Sequence, residues 1–196
     1  MQKSLLLFAS FLLLSMPLVS QTTPSAEGPR VSYWVGGSAS TFNPDYGCNS
    51  SSPFSCWDRQ VIGLGPYLDT SSFLFGRIGA EGEAHFLRWH GPQSLTEDSY
   101  LAGPRFRLMR YKGLHFSAKF LVGVGRLTVP SPLVGTGTYL AYAPGAAADY
   151  RVSRRLSARV DYEYQLWPAF KGLASGSGHG GLTPNGISLG VSYAIR

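Results

Sequence analysis

Seven ionisable residues fall into short runs with one residue between charges: Glu81 and Glu83, Arg105 and Arg107, then Arg159, Asp161 and Glu163. Successive side chains of an extended strand point to opposite faces, so a spacing of two puts each run on one face. Carboxylates and guanidiniums gathered this way do one of two things. Away from water they hold a structure together through charge-assisted hydrogen bonds. With water between them they line a path for protons or ions. A second constellation is Cys48 and Cys56, in Tyr46-Gly-Cys-Asn-Ser-Ser-Ser-Pro-Phe-Ser-Cys-Trp57. Zinc would need two more ligands nearby, and the sequence offers none there. In an exported chain an even pair this close reads as a disulfide closing a small loop, with two free thiols as the rival. His179-Gly-Gly-Leu-Thr-Pro-Asn185 brings a histidine with neither a nucleophile nor an orienting acid beside it, a poor start for a catalytic triad. His85, His90 and His115 read as lumen or loop residues.

The charged runs sit inside segments whose other residues are apolar. The clearest is Leu156 to Trp167, where Leu156, Ala158, Val160, Tyr162, Tyr164 and Leu166 alternate with Ser157, Arg159, Asp161, Glu163 and Gln165. The same period of two predicts further strands near Val31–Phe42, Arg59–Asp69, Leu74–Arg88, Tyr100–Met109, Leu114–Leu127, Tyr139–Arg151 and Ile187–Ile195. No separate apolar core segment is left over. The solution that satisfies every backbone group is a closed barrel with lipid outside and a polar interior. The expected fold is therefore all-β: an eight-stranded antiparallel up-and-down transmembrane β-barrel. Four long loops alternate with three short turns, which puts the short turns and both termini on the periplasmic side.

Export fits this reading. Met1-Gln-Lys3 followed by Leu5-Leu-Leu-Phe-Ala-Ser-Phe-Leu-Leu-Leu14 has the basic start and short apolar core of a cleaved secretory signal. Residues 1–21 are the expected signal peptide and residues 22–196 the barrel domain. Only 14% of the chain is charged, and no apolar run after the leader is long enough for a membrane helix. Cleavage removes Lys3 and no acid, so the formal charge falls from +6 to +5. The bases are scattered along the chain with no helix to carry them, which argues against nucleic acid. The Gly runs lack a strand, loop and helix context for phosphate, and the reading calls for no cofactor.

The interior of an eight-stranded barrel is just wide enough to be filled by side chains. Pairing the third and fourth strands so that opposite numbers sum to 188 would set Glu83 against Arg105 and Glu81 against Arg107. Arg159, Asp161 and Glu163 would join them, with Asp149 and Lys119 within reach. Inward Gly63, Gly65, Gly79, Gly103, Gly123 and Gly190 would make room for these ionic groups. Pro104 lacks a ladder donor and points to an edge or a bulge. A plugged barrel follows, with a proton or ion path as the competing reading.

The leader, the four hairpins and the ending Gly186-Ile-Ser-Leu-Gly-Val-Ser-Tyr193 resemble the OmpA-like eight-stranded outer-membrane barrels. The resemblance covers nearly all of the mature chain, without the peptidoglycan-binding domain of the larger members. It implies residence in the bacterial outer membrane, contact with outer-membrane lipid, and recognition of the last strand by the barrel assembly machinery. The chain departs from the pattern at Ala194-Ile195-Arg196, where a terminal aromatic is usual. Some small outer-membrane barrels are lipid A deacylases, but the serine two residues after their histidine is Gly181 here. The expected role is non-enzymatic, structural or adhesive through the outer loops, and the sequence names no surface ligand. The alternatives are a narrow channel, a lipid A-modifying enzyme and a soluble lipocalin-like barrel. Against the last stands an outward set of Tyr100, Phe116, Phe120, Tyr142, Tyr150, Tyr162, Tyr164 and Tyr193, which lipid tolerates and water does not.

One prediction follows from the cysteines. Unreduced native protein should show no alkylatable thiol, and replacing Cys48 and Cys56 by Ser should leave a barrel whose first long loop is cut faster by protease. Two reactive thiols in the unreduced protein would rule the bond out.

Overall fold

A computed structural model describes residues 31–44, 60–70, 77–88, 95–129, 136–170 and 181–195. The leader, the Cys48 and Cys56 pair, His90 and His179 lie outside the described residues. The eight strands are β1 (Tyr33–Asn43), β2 (Val61–Thr70), β3 (Ile78–Arg88), β4 (Thr96–Tyr111), β5 (Leu114–Thr128), β6 (Gly137–Arg151), β7 (Leu156–Tyr164) and β8 (Asn185–Ala194). Each pairs antiparallel with the next, and β8 pairs with β1 to close the barrel. Closure leaves no strand edge with unpaired donors and acceptors, which a bilayer would not tolerate.

The period of two becomes an inside and an outside. On β7, Ser157, Arg159, Asp161 and Glu163 are buried while Leu156, Val160, Tyr162 and Tyr164 are exposed. On β8, Ser188 and Ser192 are buried while Ile187, Leu189, Val191 and Tyr193 face outward. A water-soluble protein buries the other set. Here polar groups fill the middle and aliphatic side chains such as Leu64, at 68% exposure, form the outer surface.

Three details differ from the sequence expectation. First, β4 begins at Thr96, so Thr96-Glu-Asp98, expected in a loop, extends the ladder opposite Arg88 and Thr128. Second, regular pairing on β7 stops at Tyr164, although Tyr142 and Leu166 bridge again in the same register. The interruption has a chemical cause. Tyr142 and Leu166 exchange both backbone hydrogen bonds, at 2.9 and 2.7 Å, so the next exchange would fall between residues 144 and 164, and Pro144 has no N–H to give. Third, Pro104 lies inside the β3–β4 ladder opposite Ala80, and the irregularity in β4 falls between Arg107 and Met109.

The interior is layered. Toward the long loops, Leu95, Leu101, Leu121, Leu127, Trp167, Phe170 and Leu182 form one apolar cluster, with Tyr139 packed against it. Phe42, Val61 and Leu87 form a second. The ionic residues lie beneath. This corrects the role expected of the inward glycines. A Cβ at Gly36 or Gly190 would strike the ring of Tyr67, and one at Gly125 would strike Trp167. At Gly63, Gly65, Gly103 and Gly123 the obstacle is the backbone of the neighbouring strand. Gly145 does make room for an ion, the aliphatic stem of Lys119. The glycines therefore admit large aromatics and close strand approach more than they admit charge.

The outer face generates a direct prediction. Leu189 sits midway along β8, opposite Ala39 and Val160. Leu189→Arg should destabilise the barrel by about 2–4 kcal/mol in a bilayer, the range for arginine at the midplane. Urea unfolding in lipid vesicles measures it. An unchanged midpoint would mean that this face meets water.

Candidate functional site

The charged side chains of the lumen form two connected clusters. Lys119, on β5, is the centre of the upper one. Its Nζ lies 2.8 Å from both carboxylate oxygens of Glu83 and 2.9 Å from Asp161 and from Glu163. Glu163 also accepts from Gln165 Nε2 at 2.7 Å, and Gln165 Oε1 accepts from Trp167 Nε1 at 2.8 Å. The ionic layer is thereby tied to the apolar layer above it. His85 Nε2 lies 3.5 Å from Glu83 and 3.7 Å from Glu163. Its Nδ1 is 3.3 Å from Ser40 Oγ, which is 2.7 Å from Ser188 Oγ.

Arg159, on β7, is the centre of the lower cluster. It donates to Asp149 at 2.8 Å, to Glu81 at 2.9 Å and to Asp69 at 2.5 Å. Its guanidinium stands 4.3 Å from the ring of Tyr67, a cation–π contact in a desolvated setting. Arg105 donates to Asp149 and, at 2.9 Å, to Ser117 Oγ. It reaches Asp69 at 3.1 Å and Glu81 at 3.4 Å. Glu81 thus bridges the clusters, since it is also 3.9 Å from Lys119.

Six of the seven residues singled out from sequence meet here: Glu81, Glu83, Arg105, Arg159, Asp161 and Glu163. The expected pairing among them was wrong. Glu83 lies opposite Leu101, Glu81 opposite Gly103, and Arg105 opposite Gly79. The observed register has opposite numbers summing to 184. A slide that keeps parity leaves every side chain on its face, so the hydrophobic pattern could not distinguish the two registers. Glu83 is neutralised by Lys119, and Arg107 leaves the network altogether. Arg107 is exposed near the short-turn end and makes no ion pair among the described residues. Asp69 and His85 carry inward parity in the sequence but were not linked to the cluster. The central place of Lys119 needed the three-dimensional closure to appear.

Glu83, His85 and Glu163 offer donor atoms within 4.8 Å of one another, a spacing worth testing for a metal. Lys119 already supplies the cation between the two carboxylates, at 2.8 and 2.9 Å. Ser40, His85 and Glu83 also form a Ser–His–Glu sequence of contacts. Ser40 and His85 are each only 2% exposed. Glu83 is engaged by the lysine.

The energetic weight of the network lies in the pairing of its buried charges. A buried pair gives little net stability over apolar packing, but removing one partner strands a charge at about 3–5 kcal/mol. Lys119→Met should therefore destabilise the barrel by about that amount, because three carboxylates lose one cation. Adding Glu163→Gln should recover about 1 kcal/mol or more, while Arg107→Ala alone should cost less than about 0.5 kcal/mol. Unfolding midpoints of the singles and the double in one detergent decide it. An Arg107 effect as large as that of Lys119 would contradict the geometry.

No protein-family model and no curated protein sequence matches this chain. Solved structures do. Neisserial surface protein A (NspA) superposes with a TM-score of 0.58 at 11% identity, over 84% of this chain and 99% of that one. The outer membrane protein OprG of Pseudomonas aeruginosa gives 0.53 at 11% identity, over 84% and 96%. The attachment invasion locus protein Ail of Yersinia pestis gives 0.50 at 17% identity, over 84% and 97%. Identities this low establish likeness of fold. With eight antiparallel strands closed on themselves, charges inside and aliphatic side chains outside, this chain has the architecture of the small bacterial outer-membrane β-barrels.

Proposed function

We propose that this chain is an integral outer-membrane protein that neither conducts nor catalyses, and that it acts through its long loops at the cell surface. The observation that carries the reading is the filled lumen. Lys119, Arg105 and Arg159 are locked into carboxylates across the barrel, and the apolar clusters close the interior above them. Such a barrel is a rigid stake in the membrane. Recognition is ordinarily found in long connections such as its four. Two proteins with this fold carry names that refer to the surface and to attachment and invasion, which supports the same role here. Outer-membrane lipid is the surrounding partner. The alternating end Gly186-Ile-Ser-Leu-Gly-Val-Ser-Tyr193 supports insertion by the barrel assembly machinery.

A narrow channel is the second reading, favoured by one feature. A cavity of about 80 Å³ opens among Asp69, Arg105, Arg107, His115, Asp149 and Arg151. It ends on the lower ionic cluster, where Arg105 and Arg159 converge on Asp69 and Asp149. Planar-bilayer recording of the folded full-length chain separates the readings. The proposal expects no unitary steps, and reproducible steps carried by the monomer would overturn it. Lipid A mass spectra with and without expression should be identical; a lost or added acyl chain would make the protein an enzyme.

A further inference from the structure

The lumen does not use all of the charge. Arg110 and Lys112 flank the β4–β5 turn, Arg151, Arg154 and Arg155 span the β6–β7 turn, and Arg77 and Arg107 stand beside them. All seven are exposed, and none forms an ion pair among the described residues. The three short connections and the residues flanking them, 70–78, 111–114 and 151–156, contain no acid. Among the described residues the nearest carboxylates, Asp69 and Asp149, are held by Arg105 and Arg159. At the opposite end, Asp98 stands across from Arg126 and pairs with Arg88. Among the described residues, the short-turn rim is strongly positive, while the opposite end carries charges of both signs.

Apolar side chains are interleaved with these bases. Leu108, Met109 and Tyr111 are interspersed with Arg107, Arg110 and Lys112 at the end of β4 and just past it, and all six are exposed. Val152 and Leu156 flank Arg154 and Arg155, and both are exposed. Aromatic rings anchor several of the cations. Lys112 lies 5.2 Å from the ring of Tyr111, Arg151 lies 5.5 Å from that of Trp34, and Arg155 donates to Tyr193 Oη at 3.1 Å. The tip itself is held by a tight turn with Lys112 at φ 45° and Gly113 at φ 87°. Long basic side chains beside apolar ones place their stems in hydrocarbon and their heads at the interface.

We propose that this rim is a binding belt for anionic phospholipid headgroups in the leaflet that surrounds the short-turn end. The proposal rests on the outer-membrane reading above. Unpaired positive charges along one rim require counter-anions, and an anionic lipid supplies phosphate to Arg110, Lys112, Arg154 and Arg155 while its chains cover Leu108, Met109 and Val152. A soluble polyanion would satisfy the charges and leave those apolar side chains in water. The belt also orients the barrel, since it draws one end toward negative headgroups.

Spin-label resonance of the reconstituted full chain tests this. The protein is placed in phosphatidylcholine bilayers with a trace of spin-labelled phosphatidylglycerol or spin-labelled phosphatidylcholine, and the motionally restricted fraction is read for each. At low salt the glycerol lipid should be preferred by at least about twofold. The preference should fade in about 1 M salt, where screening acts within about 3 Å. It should also fade in the variant Arg110→Gln, Lys112→Gln, Arg154→Gln, Arg155→Gln, whose folding is checked by heat-modifiable migration. If that variant does not fold, the pair R154Q/R155Q and the salt series on the unaltered protein carry the test. Equal restriction of the two lipids, or a preference unchanged by salt, would overturn the belt. Binding of a soluble polyanion, with the two lipids restricted equally, would mean that the rim serves another partner. No restricted component for either lipid would mean that the chain is not in the bilayer, and the outer-membrane reading would fall with the belt.

Discussion

The structure depends on one constraint: when lipid lies outside, every inward polar side chain must find its partner within a lumen eight strands around. Little water is available there to compensate an unpaired charge. The solution here is a pair of cations reaching across the barrel. Lys119 on β5 gathers carboxylates from β3 and β7, and Arg159 on β7 gathers them from β2, β3 and β6. Apart from Arg159 with Asp149 on the adjacent β6, these contacts link strands that are not neighbours in the sheet. Backbone ladders fix each strand to the next, while the ionic groups fix opposite walls to one another. Charge in this protein is a packing material as well as a polar lining.

The second structural element is the apolar layer toward the long loops. Trp167 belongs to both layers, since its ring packs with Tyr139 at a centroid distance of 6.2 Å while its Nε1 donates to Gln165. The β6–β7 ladder is regular from Gly145 and Glu163 toward the short turn and is interrupted at Pro144, beyond which Tyr142 bridges Leu166 and Trp167 bridges Leu182. The missing N–H of Pro144 is thus tied to the site where the wall stops being a simple sheet. The lumen is filled first by ions and then by aromatics.

Much of this was legible in the sequence, and the limits have physical causes. Parity is local: Glu81, Glu83, Arg159, Asp161 and Glu163 declare their face through their immediate neighbours, so fold class and the inward set follow from period two. Register is not local. The β3–β4 pairing slides by four residues of one strand against the other without moving any side chain to the other face, and only closure of all eight strands selects Glu81 with Gly103. Lys119 was legible as inward but not as central, because its partners come from β3 and β7, far apart in the chain. Arg107 shows the reverse limit. Its parity matched that of Arg105, yet it lies past the lumen's end, where inward and outward lose their meaning. Trp167 and Leu182, on opposite sides of a long Gly-rich segment, gave no periodic signal that they would meet.

The central claim is that the barrel is inside-out, with its apolar face in lipid and its charges in the lumen. Strand β8 allows the most direct measurement, since Ile187, Leu189, Val191 and Tyr193 face outward and Ser188 and Ser192 face inward. A small fluorophore attached to single cysteines at these six positions, in a chain with Cys48 and Cys56 replaced by Ser, would be read in bilayers containing brominated lipid. Strong quenching at 187, 189, 191 and 193 with weak quenching at 188 and 192 is the predicted result. The opposite alternation, or uniform quenching along the strand, would contradict it.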